Sequence, residues 1–443
     1  MRFFQKPVSV VPALLAGTVA ATAAFGAAAD KPLLGLRVTT GVAYTDNRDS
    51  IPDGYVRAGV PMDKEDQWSF FVAPTITIHR EISERLKLNG GYSPVWRWHD
   101  NCRPGSEKSR IDHSARVNLD YKVTPRTLLS VRETYWWSGQ RDYFYGDDYD
   151  YDKSRDSRLD HDYYENRLNV AVKQDLTPEG DYAKVTGRWR IKRYEDSELA
   201  DSSDEDEYGL RLDLMKVLSE YVGVGVFADY TSWDREVDAA KRAGLVFDPG
   251  VQYVTVGVQG YYDFDGGKDN MVYAELGYNH AWYEADELDN QDLVGQARVE
   301  LRLFQKQQTQ ALAGIRFGRD YSDIYPFSSQ LDFATYLAVT HYFDEERRYR
   351  VNGSIEYRNR QYDAYDDLDP SAARYGYLEA LKAANNGKTE YDRDSVYARL
   401  SATCRLLDNL SGSVFYSYEK IDSDIGNSYT ENVVGANVTL TLF

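Results

Sequence analysis

The sequence predicts an all-β fold, a transmembrane antiparallel up-and-down β-barrel of about eighteen strands with short periplasmic turns and long external loops. Three observations predict it. Apolar and polar residues alternate with period two over runs of roughly ten residues, the runs are even in number, and short and long connections alternate along the chain. Among 443 residues, 37 Tyr and 32 Gly stand beside only 4 Met, which favours strands and turns over helices.

The alternation is plainest in the first run, where Leu36 and Val42 belong to one face and Arg37 and Thr39 belong to the other. The same test places strands at 34–44, 68–79, 86–98, 111–123, 127–137, 163–174, 182–194, 207–216, 221–232, 251–264, 270–283, 292–304, 309–319, 330–343, 348–362, 395–406, 410–420 and 430–443. The short connections lie at 80–83, 124–126, 175–181, 217–220, 265–269, 305–308, 344–347 and 407–409. Any antiparallel sheet with one buried face alternates in this way, but a soluble sandwich would not alternate its connection lengths.

Residues 1–29 have the features of a secretory signal peptide, and residues 30–443 are predicted to form the barrel. A basic start precedes an uncharged apolar stretch, and Ala27-Ala28-Ala29 fits cleavage after Ala29. A retained membrane helix is the alternative. Beyond Ala29 no apolar run approaches the roughly 18 residues of a spanning helix, so the sequence excludes a helical membrane protein. The formal charge of −19 excludes nucleic acid as a partner bound through bulk charge.

Tryptophan placement predicts which end of the barrel faces outwards. Trp68, Trp96, Trp98, Trp136, Trp137, Trp233 and Trp282 lie near strand ends that meet long loops, with Trp189 somewhat deeper. Such rings collect at the headgroup level and form girdles round a barrel. The long-loop end is therefore predicted to lie at the outer leaflet of a Gram-negative outer membrane, with outer-membrane lipid around the strands.

Three further residues allow predictions about the barrel wall. The terminal Phe443 resembles the aromatic residue that outer-membrane barrels present to the barrel assembly machinery, although the apolar residues of 434–442 lie on the opposite face. Glu133 is predicted to point outwards, and a β-bulge there is one explanation. Cys404 is expected to face outwards near a short turn, too far from Cys102 for a disulfide.

The sequence contains no recognisable enzyme motif, metal-ligand spacing or cofactor site. Its six histidines are scattered over different strands and loops, without H-E-x-x-H spacing or a G-x-S-x-G element. We therefore expect no enzyme activity, no metal and no cofactor. A hydrolase whose site is assembled from separate strands stays an alternative, because such sites are recognised by geometry.

Basic residues dominate the face that is predicted to line the lumen. The candidate pore-lining and anion-binding residues are Arg116, Arg132, Lys184, Arg188, Arg190, Lys192, Arg298, Arg302, Arg350, Arg358, Arg360 and Arg399. The predicted inward acids include Asp120, Asp213, Glu275, Glu300, Asp332, Glu356 and Glu419. Rings of Arg and Lys are used by anion-selective pores. Equally, any wide barrel hydrates its lumen with polar side chains and pairs Arg with acids across strands.

The long connections are rich in Asp and Tyr, notably at 141–165 and 201–207. Dense carboxylates could bind divalent cations or simply keep the surface solvated, and interleaved Tyr could stack on sugar rings. Within 363–393, Pro370 and Gly387 suit the start and stop of a helix over 370–387. This helix is predicted either to narrow the pore mouth or to lie exposed at a loop tip.

The chain resembles the beta-barrel porin 2 family of outer-membrane proteins, which are porin-like and often associated with exopolysaccharide systems. Tyr44-Thr45-Asp46-Asn47 and Gly91-Tyr92-Ser93-Pro94 carry the resemblance, together with the hairpin periodicity of the whole chain. It implies polysaccharide-associated transport and supplies no ligand residues. The predicted function is thus passage of hydrophilic, anionic solutes such as acidic oligosaccharides. A non-conducting surface barrel that binds glycan or has a structural role is the alternative.

Overall fold

A computed structural model of the chain describes residues 34–47, 56–57, 60–61, 66–100, 109–138, 163–194, 204–235, 250–267, 269–283, 294–304, 308–320, 328–364, 390–423 and 428–442. The leader at 1–29, the expected helix at 370–387, Cys102 and Phe443 lie outside the described residues, as does most of the loop at 141–165. In the ranges given above, no helix is long and apolar enough to cross a membrane.

The described ranges contain twenty strands, and eighteen of them are long. They are β1 (Leu34–Thr45), β2 (Val56–Arg57), β3 (Val60–Pro61), β4 (Gln67–Ser83), β5 (Leu86–His99), β6 (Ser109–Thr124), β7 (Thr127–Ser138), β8 (Tyr163–Asp175), β9 (Tyr182–Tyr194), β10 (Glu205–Val217), β11 (Val222–Arg235), β12 (Gly250–Asp263), β13 (Met271–Tyr283), β14 (Val294–Leu303), β15 (Thr309–Asp320), β16 (Ser328–Tyr342), β17 (Tyr349–Ala364), β18 (Glu390–Leu407), β19 (Leu410–Ser423) and β20 (Tyr429–Thr441). The sequence did not predict β2 and β3, which pair only with each other.

The long strands form a closed, 18-stranded antiparallel barrel, so the predicted fold class is confirmed. Each strand pairs with its neighbours in chain order. β1 pairs both with β4 and with the last strand β20, which removes any free sheet edge. At the seam Val42 lies opposite Ala436 on β20 and opposite Phe70 on β4.

Contacts that skip strands identify the inner face of the barrel. Arg211 on β10 reaches Glu275 on β13, with 2.5 Å between Nη2 and Oε1, across the two strands between them. Side chains three strands apart can meet only on the concave side of a closed sheet. The opposite face carries large exposed apolar side chains on the same strand, such as Leu210 and Leu212. The alternation predicted from the sequence thus separates a polar inner wall from an apolar outer wall.

The expected β-bulge at Glu133 is wrong, because the register there is unbroken. Glu133 lies directly opposite Val117 on β6 and Leu168 on β8. It points outwards as predicted, and Asn166 Nδ2 donates a 2.9 Å hydrogen bond to its Oε1. The register instead shifts beside short turns, between Glu81 and Ser83, between Lys122 and Thr124, and between Arg405 and Leu407. Each shift lies where a strand ends and the ladder can absorb an extra residue.

Two of the eight tryptophans do not belong to an outer girdle. Trp136 lies opposite Glu165, and Trp233 lies opposite Glu207, so both face the lumen. The outward tryptophans are Trp68, Trp96, Trp98, Trp137, Trp189 and Trp282. The face of each ring follows from residue parity within the strand, whereas the sequence analysis used only the position of each ring near a strand end.

Aromatic rings on the inner face lie flat against the wall, over glycines of the neighbouring strand. Tyr336 on β16 lies opposite Gly314 on β15, and a Cβ at Gly314 would overlap the Tyr336 ring. Phe415 covers Gly435 in the same way. Because the glycines have no side chain, these rings follow the wall instead of projecting into the lumen.

Candidate functional site: the inner wall of the barrel

The structure places all twelve candidate residues on the inner face of the sheet. Their cross-strand partners include inward groups already identified, as Arg298 lies opposite Glu275 and Arg360 lies opposite Asp332. The candidates are not one cluster. Arg116 and Arg132 lie on β6 and β7, the four residues from Lys184 to Lys192 on β9, and the other six on β14, β17 and β18.

Charge on the inner wall is divided unevenly between two sectors. On β8–β13 the described inward cations are Arg167, Lys173, Lys184, Arg188, Arg190, Lys192 and Arg211, and the inward acids are Glu165, Asp175, Glu205, Glu207, Asp213, Asp229, Asp263 and Glu275. On β14–β18 the described inward cations are Arg298, Arg302, Arg316, Arg350, Arg358, Arg360, Arg393, Arg399 and Arg405, and the inward acids are Glu300, Asp332 and Glu356. The first sector is balanced, whereas the second has a large surplus of arginine.

In the balanced sector, Arg188 is held by a bidentate ion pair. Its Nη1 and Nη2 donate to the two carboxylate oxygens of Asp229 over 2.9 and 2.6 Å, and Nη2 also donates to the Thr231 hydroxyl over 2.9 Å. Two parallel charge-assisted bonds fix the plane of the guanidinium. Arg188 is therefore committed to Asp229 and has little freedom to bind a solute.

Arg190 and Lys192 are neutralised by a group of glutamates. Arg190 lies 3.2 Å from Glu165, 3.2 Å from Glu205 and 3.6 Å from Glu207. Lys192 lies 4.0 Å from Glu205 and stands over the Tyr163 ring at 5.1 Å from its centre. The strand with the densest row of cations in the sequence is thus a structural part of the wall.

In the basic sector, each buried carboxylate serves two arginines. Glu300 accepts from Arg298 at 3.0 Å and from Arg302 at 2.6 Å. Asp332 accepts from Arg316 at 2.8 Å and from Arg358 at 2.6 Å. Each group of three therefore carries one net positive charge.

The acids lie beneath the exposed arginines of both groups, whereas Arg358 is as buried as Asp332, at 8% against 6% exposure. The Glu300 and Asp332 side chains are 10% and 6% exposed, whereas the side chains of Arg298, Arg302 and Arg316 are 53%, 52% and 50% exposed. The guanidiniums consequently present unused N–H donors to the lumen. This arrangement can bind carboxylates or phosphates in a bidentate manner.

Five of the candidate residues have no carboxylate partner in the described portion of the chain: Arg116, Arg132, Lys184, Arg350 and Arg399. The Arg399 guanidinium stacks on Phe415, with Cζ 5.2 Å from the ring centre. The Nε of Arg350 is buried and has no hydrogen-bond partner. Arg350 and Arg399 thus add uncompensated charge to the sector that is already basic.

The sequence analysis missed the acids that neutralise the β9 row. Asp229, Glu165 and Glu207 were not among the inward acids that it named, although their parity within the predicted strands would have placed all three inwards. Glu205 preceded the predicted start of its strand. Among the described residues, no group of three His, Cys, Asp or Glu side chains could hold a metal ion.

Comparison with protein-family profiles finds no match, and comparison with curated proteins finds none either. The resemblance to the beta-barrel porin 2 family therefore stays a prediction. Among solved structures, the chain is similar to the outer membrane protein opdK from Pseudomonas aeruginosa, at 8% identity and a TM-score of 0.45, covering 92% of this chain and 99% of that chain. It is also similar to OccAB4 of Acinetobacter baumannii, at 10% identity and a TM-score of 0.44 (93% and 99% covered), and to the outer membrane channel DcaP of the same species, at 10% and 0.41 (92% and 96% covered). Because these likenesses are distant, the function is argued from the residues of this chain.

Proposed function

We propose that this protein is a porin-like channel of the outer membrane that passes hydrophilic, anionic solutes such as acidic oligosaccharides. The observation that carries the proposal is the basic sector of the inner wall, where two arginines share each buried carboxylate and further arginines have none. Barrels of about 18 strands enclose an aqueous channel, whereas smaller ones are filled by their own side chains. The apolar outer face supports a position in a membrane, because such an area of exposed Leu, Val and Phe is incompatible with water.

Acidic saccharides suit the chemistry of this wall. Their carboxylates match the geometry of the two parallel N–H donors of a guanidinium. Their hydroxyls can form hydrogen bonds with the charged side chains of the balanced sector. A solute moving along β14–β18 would pass several exposed arginines, since Glu300 and Asp332 lie beneath them, and Glu356 is the one inward acid of this described sector that no arginine pairs. Binding that is shared over several weak sites allows a solute both to enter and to leave.

The proposal includes the leader and the route into the membrane. Cleavage after Ala29 would send the chain to the periplasm, and Phe443 would present it to the barrel assembly machinery. Both segments lie outside the described residues, so these steps rest on the sequence alone. The absence of enzyme activity is likewise proposed from the sequence.

Single-channel recording in planar bilayers tests the proposal. Under a salt gradient we expect discrete conductance steps and a reversal potential of the sign for anion selectivity, and we expect oligogalacturonate to block the current more strongly than a neutral oligosaccharide of equal length. A cation-selective reversal potential would contradict the role of the basic sector. If the inserted protein gives no conductance, the alternative of a surface barrel that binds glycan or has a structural role is favoured.

A further inference from the structure

Three arginines meet on the inner wall at the short-turn end of the barrel, beside the turn between β16 and β17. Arg350 on β17 lies opposite Tyr342 on β16 and opposite Thr403 on β18, and all three face the lumen. Arg405 is the next inward residue of β18 after Thr403, on the side of the turn. The Arg347 guanidinium stands over the Tyr342 ring, with Cζ 4.7 Å from its centre. Arg347, Arg350 and Arg405 thus form one arginine patch.

The donors of the arginine patch are largely unused. Arg350 forms no hydrogen bond or ion pair with the described residues, and its buried Nε has no partner. Arg405 uses one donor, since its Nη2 donates to the Glu346 carbonyl oxygen over 2.8 Å. Within the part of the chain that the structure describes, no carboxylate lies at ion-pair distance from any of the three guanidiniums. The patch therefore concentrates three uncompensated positive charges at one mouth of the lumen.

The acids of the neighbouring turn have other roles. The Asp344 carboxylate accepts from the backbone N–H of Arg348 over 2.7 Å and from that of Tyr349 over 3.1 Å, so it fixes the turn. Glu346 forms an ion pair with Arg348 at 2.5 Å. Glu345 is exposed and forms no ion pair with a described residue. None of these three acids neutralises the arginine patch.

The backbone of the turn holds Arg347 in an unfavourable conformation. Its φ of 54° lies in the left-handed region, which favours glycine over a residue with a long side chain. The Arg347 N–H donates to the Asp344 carbonyl oxygen over 3.1 Å, and this bond keeps the turn closed. Strained backbone of this kind persists where the surroundings impose it, and it is concentrated at binding sites. An arginine in place of glycine here indicates that the guanidinium over Tyr342 has a use.

We propose that the arginine patch is a binding site for a phosphate group, free or carried by a saccharide. A phosphate monoester has about 1.5 to 2 negative charges at pH 7 and three acceptor oxygens, whereas a carboxylate has one charge. Three guanidiniums without acid partners match the phosphate, since they can donate to different oxygens. The groups around Glu300 and Asp332 differ, because each holds one net positive charge. The inference rests on the proposed channel function and deepens it by naming the charged group of the solute.

Block of the single-channel current measures this binding. Glucose 6-phosphate and glucarate carry similar total charge, but glucarate divides it between carboxylates at opposite ends. We expect glucose 6-phosphate to block at about a tenfold lower concentration, because charge-assisted hydrogen bonds to one group are worth that factor. Inorganic phosphate identifies the source of the group: weaker block than by glucose 6-phosphate assigns the site to a phosphorylated sugar, and equal block assigns it to phosphate itself. Equal block by glucose 6-phosphate and glucarate would overturn the proposal.

The position of the patch predicts the voltage dependence of the block. A site at the short-turn mouth is reached from that side without crossing most of the membrane field. Inorganic phosphate added on that side should therefore block with weak voltage dependence, and phosphate added on the other side with strong voltage dependence. Equal voltage dependence from both sides would place the site elsewhere and overturn the proposal.

Variants separate the patch from the general charge of the mouth. The test variant combines Arg347→Gln, Arg350→Gln and Arg405→Gln, and should raise the half-blocking concentration of glucose 6-phosphate about tenfold. The matched control removes three cations from other short turns, with Arg85→Gln, Arg126→Gln and Lys216→Gln, and should change it by less than about twofold. Lysine at all three patch positions keeps the charge but not the paired donors, so it should keep anion selectivity and lose the preference over glucarate. Equal effects of the test variant and its control would overturn the proposal.

Calorimetric titration of the detergent-solubilised full-length protein with inorganic phosphate gives a readout that needs no conduction. If the test variant fails to fold, as judged by heat-modifiable migration in gels, Arg350→Gln alone should still weaken phosphate binding by about threefold or more. Anion-selective conductance without phosphate binding rejects only this site. Phosphate binding without conductance supports the site and rejects the proposed channel, and the absence of both rejects both.

Discussion

Asn166 donates a 2.9 Å hydrogen bond to Glu133 on the outer face of the barrel, between β8 and β7. Glu133 lies in the middle of its strand, among residues that are otherwise apolar, and is only 8% exposed. A carboxyl group on this face needs a partner, because in the proposed membrane position the surrounding hydrocarbon offers none. The pair explains how the outer wall tolerates a residue that contradicts the alternation.

Removing the amide should therefore destabilise the barrel. Asn166→Leu leaves the Glu133 acceptor unsatisfied, at a cost of about 1–3 kcal/mol in the free energy of unfolding. Adding Glu133→Leu to it should recover most of that loss, since both polar groups are then gone. Urea unfolding in lipid vesicles measures both changes. Additive losses in the double variant would show that the two residues do not act as a pair.

The contact between Tyr336 and Gly314 predicts a steric effect on both folding and conductance. In Gly314→Val the new side chain overlaps the Tyr336 ring and forces it off the wall into the lumen. We expect a loss of about 1–3 kcal/mol of stability, as in other overpacked sites, and a smaller single-channel conductance. Gly295→Val, on the outer face of β14, is the control of equal side-chain size, because a Cβ there meets nothing within 4 Å. Equal effects of the two substitutions would rule out the ring contact as the cause.

Arginines without carboxylate partners should control selectivity without affecting folding. A unit charge about 8 Å from a passing anion is worth about 0.5 kcal/mol in water. Replacing both Arg350 and Arg399 by Gln should thus lower the permeability ratio of anion to cation by roughly two- to fivefold, measured from reversal potentials, with little change in stability. Arg188→Gln should instead lower stability, because Asp229 then loses its bidentate partner and keeps only Arg211, 4.0 Å away. A large loss of stability in the double variant would assign these arginines a structural role.

Asp332 should lower the anion selectivity of the channel and stabilise the folded barrel. In Asp332→Asn the guanidiniums of Arg316 and Arg358 lose their shared counter-charge, so we expect stronger anion selectivity. Breaking a buried ion pair on one side costs about 3–5 kcal/mol, and the unfolding free energy should fall accordingly. Reversal potential and urea unfolding on the same sample test both parts. A shift towards cation selectivity would show that Asp332 does not compensate these arginines.

The turn between β12 and β13 should contribute an acid-sensitive element outside the strands. The backbone N–H of Gly267, 3.1 Å from Asp265 Oδ1, and the side-chain amide of Asn270 hold the pKa of Asp265 below its ordinary value of 3.8. A carboxylate with a lowered folded pKa stabilises the turn above pH 3.8, and that contribution is lost as pH falls through the folded pKa. The protection factor of the Gly267 amide, which is its exchange rate relative to the intrinsic rate at the same pH, should therefore fall below that pH, and Asp265→Asn should abolish this change in protection. A wild-type protection factor that does not change with pH would contradict the assignment.

Residue parity predicted which side chains line the candidate site. It could not predict which of these arginines form ion pairs with acids. Arg190 and Arg350 look alike in the sequence, as inward arginines on alternating strands. Arg190 meets three glutamates that come from β8 and β10, whereas Arg350 meets none in the described structure. Which arginine is neutralised depends on the register of its neighbours, and a single strand carries no information about that register.

The sequence by itself determined the class of fold, the number of strands in the barrel and the face of nearly every barrel residue, because period-two alternation and connection length are local properties of the chain. Only the tertiary structure decided where charge on the inner wall remains uncompensated and how Glu133 is satisfied. The physical reason is that ion pairs and hydrogen bonds act over about 3 Å between different strands. Their partners are fixed only when the barrel closes and its register is set.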